Sequence, residues 1–265
     1  MLTIGFIGAG QMAQAMVRGW KKREEIHQVV YAPTAEKQVA SELGIQVVDT
    51  PAKVWEQADM VVLAMKPQDL QTVADELRLV RMQKPEVIIV SVLAGVTLKE
   101  LHQVLGERLV IARAVSNINV ALRYGYTGLA FDQYVDASTR GAIAMLFLEL
   151  GKIDEYPEQK LSVVSALAGS GPAFVAAFVK SYQAVGQQLG LTEDQAQVIA
   201  LQTLTGTGIN MTETPLSANQ LANLAIAAGV STNAGYSYLT QGQLEEVLSG
   251  AVSATMDKNE QGDIS

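Results

Sequence analysis

The stretch Thr3-Ile4-Gly5-Phe6-Ile7-Gly8-Ala9-Gly10-Gln11-Met12-Ala13 decides how the first half of this chain folds. An apolar strand-like run enters Gly8-x-Gly10-x-x-Ala13 directly, and an apolar helical stretch follows. Gly8 permits the tight turn, and Gly10 lets the backbone approach a pyrophosphate. Ala13, where a third glycine is usual, still allows close packing of helix on strand. The helix start then offers free N–H groups and a positive dipole end to phosphates. With a strand before it and a helix after it, the motif reads as the opening of a Rossmann domain. Gly8, Gly10, Gln11 and Met12 are its cofactor-binding residues; a plain tight βα turn is the bland alternative.

Outward from that turn, residues 1–115 alternate short β-branched runs with helical segments. Strands are expected at 3–7, 28–32, 46–48, 60–64, 87–92 and 109–113. Several are continuous apolar runs, as in parallel strands covered on both faces. Thr97-Leu98-Lys99-Glu100 carries the capping-box pattern of a helix start. Repeated βα units of this kind imply an α/β fold with a doubly wound parallel sheet. A further strand is expected at 126–131, then a helix at 136–150 and a short segment at 152–155. After Glu158 the strand signal stops, and helices follow at 172–189, at 192–211 and from Ser217 onward. The chain therefore divides near residue 157 into a dinucleotide-binding domain, 1–157, and an all-helical domain, 158–265. The helical half is apolar on several sides, as in Pro-Ala-Phe-Val-Ala-Ala-Phe-Val at 172–179. Packing against a second copy would bury those faces, so a homodimer through this domain is expected.

Composition narrows the chemistry. The 265 residues hold no cysteine and two histidines, which excludes disulfides, thiolate metal sites and multi-histidine metal centres. His27 and His102 read as solvated surface residues. Net charge −8 without a basic block disfavours a nucleic-acid partner. No apolar run is read as long enough to span a bilayer and no leader is read at the N-terminus, so no membrane partner and a cytoplasmic location are expected. Catalysis by such a chain rests on a cofactor, backbone donors and hydroxyls.

The remaining cofactor residues fall at strand ends. An NAD site usually has an acid about 20 residues beyond the glycines, for the ribose 2′-hydroxyl. Here the second strand ends Val30-Tyr31-Ala32-Pro33-Thr34, with no acid before Glu36. Thr34 and Lys37 suit a 2′-phosphate, which favours NADP and NADPH over NADH; Thr34 is equally an ordinary helix N-cap. The fourth strand leads into Ala64-Met65-Lys66-Pro67-Gln68 and the fifth into Ser91-Val92-Leu93-Ala94-Gly95. Ala64, Lys66, Pro67, Ala94 and Gly95 thus lie at carboxyl ends of parallel strands, where open α/β sheets bind ligands. Taken alone, Lys66 reads as readily as a surface lysine.

The opening Gly-Phe-Ile-Gly-Ala-Gly-Gln-Met-Ala, the 64–68 and 91–95 turns, and above all Ala166-Leu-Ala-Gly-Ser-Gly-Pro-Ala-Phe-Val175 resemble the pyrroline-5-carboxylate reductase family. The resemblance runs over nearly the whole chain in order. It implies a Rossmann domain joined to a helical dimerisation domain, dimers that assemble further into rings, and reduction of a small cyclic imino acid to L-proline by NAD(P)H. It implies Asn117 beside the nicotinamide, and Thr232 facing the imine nitrogen, as the catalytic pair. Gly229, Val230, Ser231 and Thr232 are implied to hold the substrate carboxylate, with a helix N-cap as the plain alternative for Thr232. The chain departs from the family at Val115-Ser116-Asn117-Ile118-Asn119, where Met-Pro-Asn-Thr-Pro is usual. It departs again at Ala227-Ala228-Gly229-Val230-Ser231-Thr232, where Ser-Pro-Gly-Gly-Thr-Thr is usual. Ala227 removes a hydroxyl, and Val230 in place of glycine disfavours positive φ. Two other readings stay open: an NADPH-dependent reductase of another cyclic imine, and a non-catalytic cofactor-binding relative with a regulatory role.

Overall fold

In a computed structural model, the protein is described for residues 1–33, 37–227 and 229–261. Strand and helix alternate as β1 Leu2–Ile7, α1 Gln11–Trp20, β2 Ile26–Tyr31, α2 Lys37–Glu42, β3 Gln46–Val48, α3 Pro51–Gln57 and β4 Met60–Leu63. They continue as α4 Leu70–Gln83, β5 Ile88–Ser91, α5 Leu98–Leu105, β6 Ile111–Ser116, β7 Gly125–Phe131, α6 Ala137–Leu148 and β8 Gly151–Glu155. Among the described residues only helices follow: α7 Leu161–Val164, α8 Gly171–Gln188, α9 Glu193–Glu213, α10 Ala218–Ala227, α11 Val230–Gln241 and α12 Leu244–Gln261.

The sheet order is β3-β2-β1-β4-β5-β6-β7-β8. From β3 to β6 every pair is parallel, as the βα alternation predicts. The β6–β7 pair is antiparallel, and β8 returns parallel to β7. The reason is length. Only a 3-10 turn at Ile118–Leu122 joins β6 to β7, too short for the crossover of a dozen or more residues that a parallel pair needs. Pairing with β7 also carries β6 on to Ser116, past the end at 113 expected from sequence, so Val115 and Ser116 are strand residues.

Two apolar layers cover the sheet. On one face, Trp20 of α1 packs against Phe6 and edge-on to Phe147 of α6, and its indole N–H donates to the Leu146 carbonyl at 3.0 Å. On the other, Trp55 is fully buried among α3, α4 and α5, with its N–H on the Lys84 carbonyl at 2.9 Å. Both indoles thus bury a large apolar area without stranding a donor.

Backbone contacts divide the chain into a unit of Met1–Pro172 with Thr255–Ser265 and a unit of Ala173–Ala254. The division falls later than residue 157 because α7 packs on β7, so residues 158–172 go with the sheet. In the helical unit, both Thr192 and Gln195 complete the capping box of α9, and Ser217 with Gln220 caps α10. Gly190, at φ 97°, ends α8. Of the residues described in α8–α11, only Ala196 and Ala200 belong to the buried apolar core.

The sequence expectation of no membrane-length apolar run is corrected. Residues 158–188 form one helical stretch whose 18-residue window has mean hydropathy 1.7, enough by length and composition to cross a bilayer. Serines and glycines break the run to the eye, but the alanines, valines and phenylalanines between them keep the average high.

Candidate nucleotide and substrate sites

The candidate nucleotide site lies at the carboxyl end of the sheet. Gly8 follows β1 at φ 102° and donates its N–H to the Tyr31 carbonyl at 2.9 Å. A Cβ at Gly8 would lie 2.6 Å from the backbone of Ala64 and Met65, so the turn fits under the end of β4 only as glycine. At Gly10 the situation differs. An added Cβ would meet only the Ala64 carbonyl oxygen at 3.8 Å, so open space lies beside the backbone where a pyrophosphate would approach. Gly10 is the N-cap of α1, with no side-chain cap and no acid in the first turn. The N–H groups of Gln11 and Met12 therefore open the helix without a competing acceptor. These features fit a dinucleotide. Ala64 sits beside this turn, and Lys66, exposed, heads a 3-10 turn at Pro67–Asp69 two residues further along. Thr34 and the side chain of Lys37 lie outside the described residues.

Two strands further along, β5 ends at Ser91, whose hydroxyl accepts from the Leu93 N–H at 3.3 Å and turns the chain. Ala94 and Gly95 follow, both exposed, with Gly95 at φ 73°. α5 then starts on the expected capping box. The Thr97 N–H and hydroxyl both donate to Glu100 at 2.7 Å, and hold that carboxyl below the usual carboxylate range.

Asn117 directly follows β6 and is buried. Its Nδ2 donates to the Ala168 carbonyl at 3.0 Å, and its Oδ1 accepts from the Asn119 N–H at 3.2 Å. One side chain thus joins β6 to the stretch before Gly169-Ser170-Gly171-Pro172. That stretch is a π-type turn, with Ser170 N–H reaching back to the Ser165 carbonyl at 3.1 Å. Such wide turns recur at functional sites.

The loop 227–232 belongs to the helical unit. Gly229, not Thr232, is the N-cap of α11, at φ −177°, and its own side chain offers no cap. Val230, Ser231 and Thr232 are therefore the first helical residues, so the position of Val230 calls for no positive φ. The side chain of Val230 lies outside the described residues. Ser231 and Thr232 are exposed, and the first-turn N–H groups carry no side-chain cap. An uncapped helix start flanked by two hydroxyls suits a carboxylate.

Sequence reasoning missed three residues here. His102 is not solvated: its Nε2 pairs with the buried Asp132, its Nδ1 faces the Gly106 carbonyl at 3.2 Å, and Tyr134 stands edge-on to the ring. It pins the end of α5 to the turn after β7, and no role in chemistry follows. Arg113 and Glu158 pair at 2.8 Å. The signal was a lone arginine inside the apolar run Ile111-Ala112-Arg113-Ala114-Val115, because a buried charge requires a partner.

Comparison with known proteins agrees with this architecture. Residues 158–262 match the family model described as pyrroline-5-carboxylate reductase dimerisation, and residues 3–95 match one described as NADP oxidoreductase, coenzyme F420-dependent. A pyrroline-5-carboxylate reductase of Aquifex aeolicus is 27% identical over 97% of this chain and 96% of its own. Across nearly its whole length the chain is thus similar to pyrroline-5-carboxylate reductases, and its helical half matches the dimerisation model of that family. The solved pyrroline-5-carboxylate reductase of Coxiella burnetii superposes with TM-score 0.88 at 27% identity, covering 99% of this chain and 98% of that one. The fold also matches the Plasmodium falciparum pyrroline carboxylate reductase, solved with NADP bound, at TM-score 0.86 and 21% identity over 98% of both chains. The pyrroline-5-carboxylate reductase dimerisation match begins at the residue where the strand signal stops, whereas contacts assign 158–172 to the sheet unit.

Proposed function

We propose that this chain reduces pyrroline-5-carboxylate to L-proline with NADPH. The observation that carries the reading is the full-length likeness to named reductases on a chain whose Gly8–Ala13 turn fits a dinucleotide. The nicotinamide, when bound, supplies the hydride. Gly8, Gly10, Gln11, Met12, Ala64, Lys66 and Pro67 hold the pyrophosphate end, and Ala94, Gly95 and Asn117 flank the ring. Thr34 and Lys37 meet the 2′-phosphate, which is the basis for preferring NADPH over NADH.

At the substrate end, the α11 N–H groups after Gly229 take the carboxylate, with Val230 and Ser231 contributing backbone. The Thr232 hydroxyl oxygen accepts a hydrogen bond from the protonated ring nitrogen and fixes its orientation. Hydride arriving at the imine carbon converts the C=N bond to a C–N single bond, and the proton already on the nitrogen stays as the amine N–H. A protonated imine is electrophilic enough that no histidine acid is required; the protein positions and polarises.

The exposed side chains of Val175, Phe178, Tyr182 and Val185 recur at spacings of three and four along α8, about half exposed each. Such a stripe on the 158–188 helix is the surface a second copy covers, giving a cytoplasmic homodimer that can build rings. Ala227 and Val230 favour a second reading on specific grounds: a carboxylate pocket with one hydroxyl fewer and more bulk suits a different cyclic imino acid. Assaying NADPH oxidation with the five-membered against a six-membered imino acid decides between them. Preference for the five-membered ring supports the first reading, and preference for the six-membered ring replaces it with the second.

A further inference from the structure

Glu158 ties together three elements that flank the nicotinamide end of the site. Its Oε1 accepts from the Leu98 N–H at 2.6 Å and from Arg113 Nη1 at 2.8 Å. Leu98 is the first residue of α5, which the Ala94–Gly95 turn reaches through Val96 and Thr97. The capping box there satisfies the N–H groups of Thr97 and Glu100 but leaves that of Leu98 free, and Glu158 fills it. Arg113 lies on β6, the strand that leads into Asn117. Glu158 itself opens the segment that runs through the π-type turn to Gly171-Pro172. One carboxylate oxygen thus fixes a helix start, a strand and the approach to α8.

A partly buried ion pair of this kind is weak evidence for stability by itself. The side chains of Arg113 and Glu158 are 10% and 23% exposed, and a well-packed apolar pair at such depth is often as stable as an ion pair or more so. The pair also lines a cavity of about 510 Å³ together with Gly95, Thr97, Val115 and Ser165. That cavity opens where the cofactor turn and β6 face each other. β5 stands three strands from β2, roughly 14 Å at normal strand spacing, so the link is remote from the adenosine end.

We propose that Glu158, through Arg113 and the Leu98 N–H, is a positioning residue for the nicotinamide end of the coenzyme. It sets the Gly95 turn against the Asn117 end of β6. The inference rests on the reading of Ala94, Gly95 and Asn117 as nicotinamide neighbours, but not on the identity of the imine. The full-length wild type, Glu158→Gln and Glu158→Ala are compared with two ligands, NADPH and 2′-phospho-ADP-ribose, which lacks the nicotinamide. Affinity is measured for both, and the fluorescence enhancement of the reduced ring for NADPH. In Glu158→Ala the ring fluorescence should fall most of the way to that of free NADPH, while affinity for the fragment stays within about twofold, because a small misplacement acts locally. Glu158→Gln keeps an acceptor oxygen and should restore most of the ring signal. Unchanged fluorescence in Glu158→Ala overturns the inference. So does a parallel loss for both ligands, which marks a merely structural role, or a glutamine variant as impaired as the alanine one. No imine enters these measurements, so a wrong substrate reading shows instead as wild type that binds NADPH with a normal ring signal yet makes no proline.

Discussion

Asn117 and Ala168, 51 residues apart in sequence, are joined by a hydrogen bond of 3.0 Å from the Asn117 amide to the Ala168 carbonyl. The bond locks the end of β6 to the π-type turn ahead of α8, and the Asn117 oxygen caps the next 3-10 turn at the same time. Replacing Asn117 by alanine removes the donor to the half-buried Ala168 carbonyl. Denaturant unfolding should show a loss of about 1–3 kcal/mol. Turnover should fall more than NADPH affinity does. An alanine variant as stable and as active as wild type would remove Asn117 from both roles.

The two glycines of the nucleotide turn should fail differently. Gly8→Ala forces a Cβ into the Ala64–Met65 backbone at positive φ, so it should cost more than about 2 kcal/mol and lower the melting temperature. Gly10→Ala meets only one atom, at 3.8 Å, so the melting temperature should hold. Its damage falls on the ligand: a methyl where the pyrophosphate approaches should weaken NADPH binding about tenfold or more. Calorimetry and fluorescence titration of both variants check this. Equal melting temperatures for the two would contradict the packing at Gly8.

Acid stability has a definite sign at the α5 capping box. Hydrogen bonds from the Thr97 backbone N–H and hydroxyl hold the Glu100 carboxyl below its ordinary range, so the folded state prefers it ionised. That contribution is complete above the unfolded carboxylate value, roughly pH 4.3, and is lost as pH falls through the lower folded value. Asp136, which accepts from Thr139 N at 2.7 Å to cap α6, is lowered in the same direction. Glu100→Gln keeps the capping geometry without the titration. Its stability should therefore vary less with pH across the acid range, as urea midpoints at stepped pH will show.

Association should depend on the α8 stripe. Phe178 and Tyr182 stack at 6.0 Å between ring centroids, and about half of each residue is exposed in the single chain. Sedimentation at micromolar protein should give a dimer or a multiple of it, and Phe178→Asp should shift the mass towards monomer. A wild type that sediments as monomer would remove the proposed interface.

Much of this was legible residue by residue. Gly8 and Gly10 punctuate the chain between an apolar run and a helix, and the continuous runs of β4 and β5 reveal parallel strands without any partner in view. The apolar character of α8 on more than one side was also visible, and its exposure in the single chain follows. What sequence hid were pairings across distance. Ser116 looks like a loop residue until Thr127, on β7, meets its hydroxyl at 2.5 Å. His102 looks solvated until Asp132 is placed beside it, and Arg113 has no partner until Glu158 folds back across 45 residues. At the substrate loop, residue type alone allowed Thr232 to be an N-cap. Only the backbone shows Gly229 in that position and Thr232 within the first turn.

The proline-forming reading stands or falls with Thr232→Ala. Wild type and variant are supplied with NADPH and pyrroline-5-carboxylate, and L-proline formed is measured alongside NADPH consumed. If the Thr232 hydroxyl orients the imine nitrogen, wild type forms proline in step with NADPH loss. The variant then loses about tenfold to a hundredfold in kcat/KM with coenzyme affinity intact. A wild type that forms no proline, or a variant that keeps full turnover, would contradict the account.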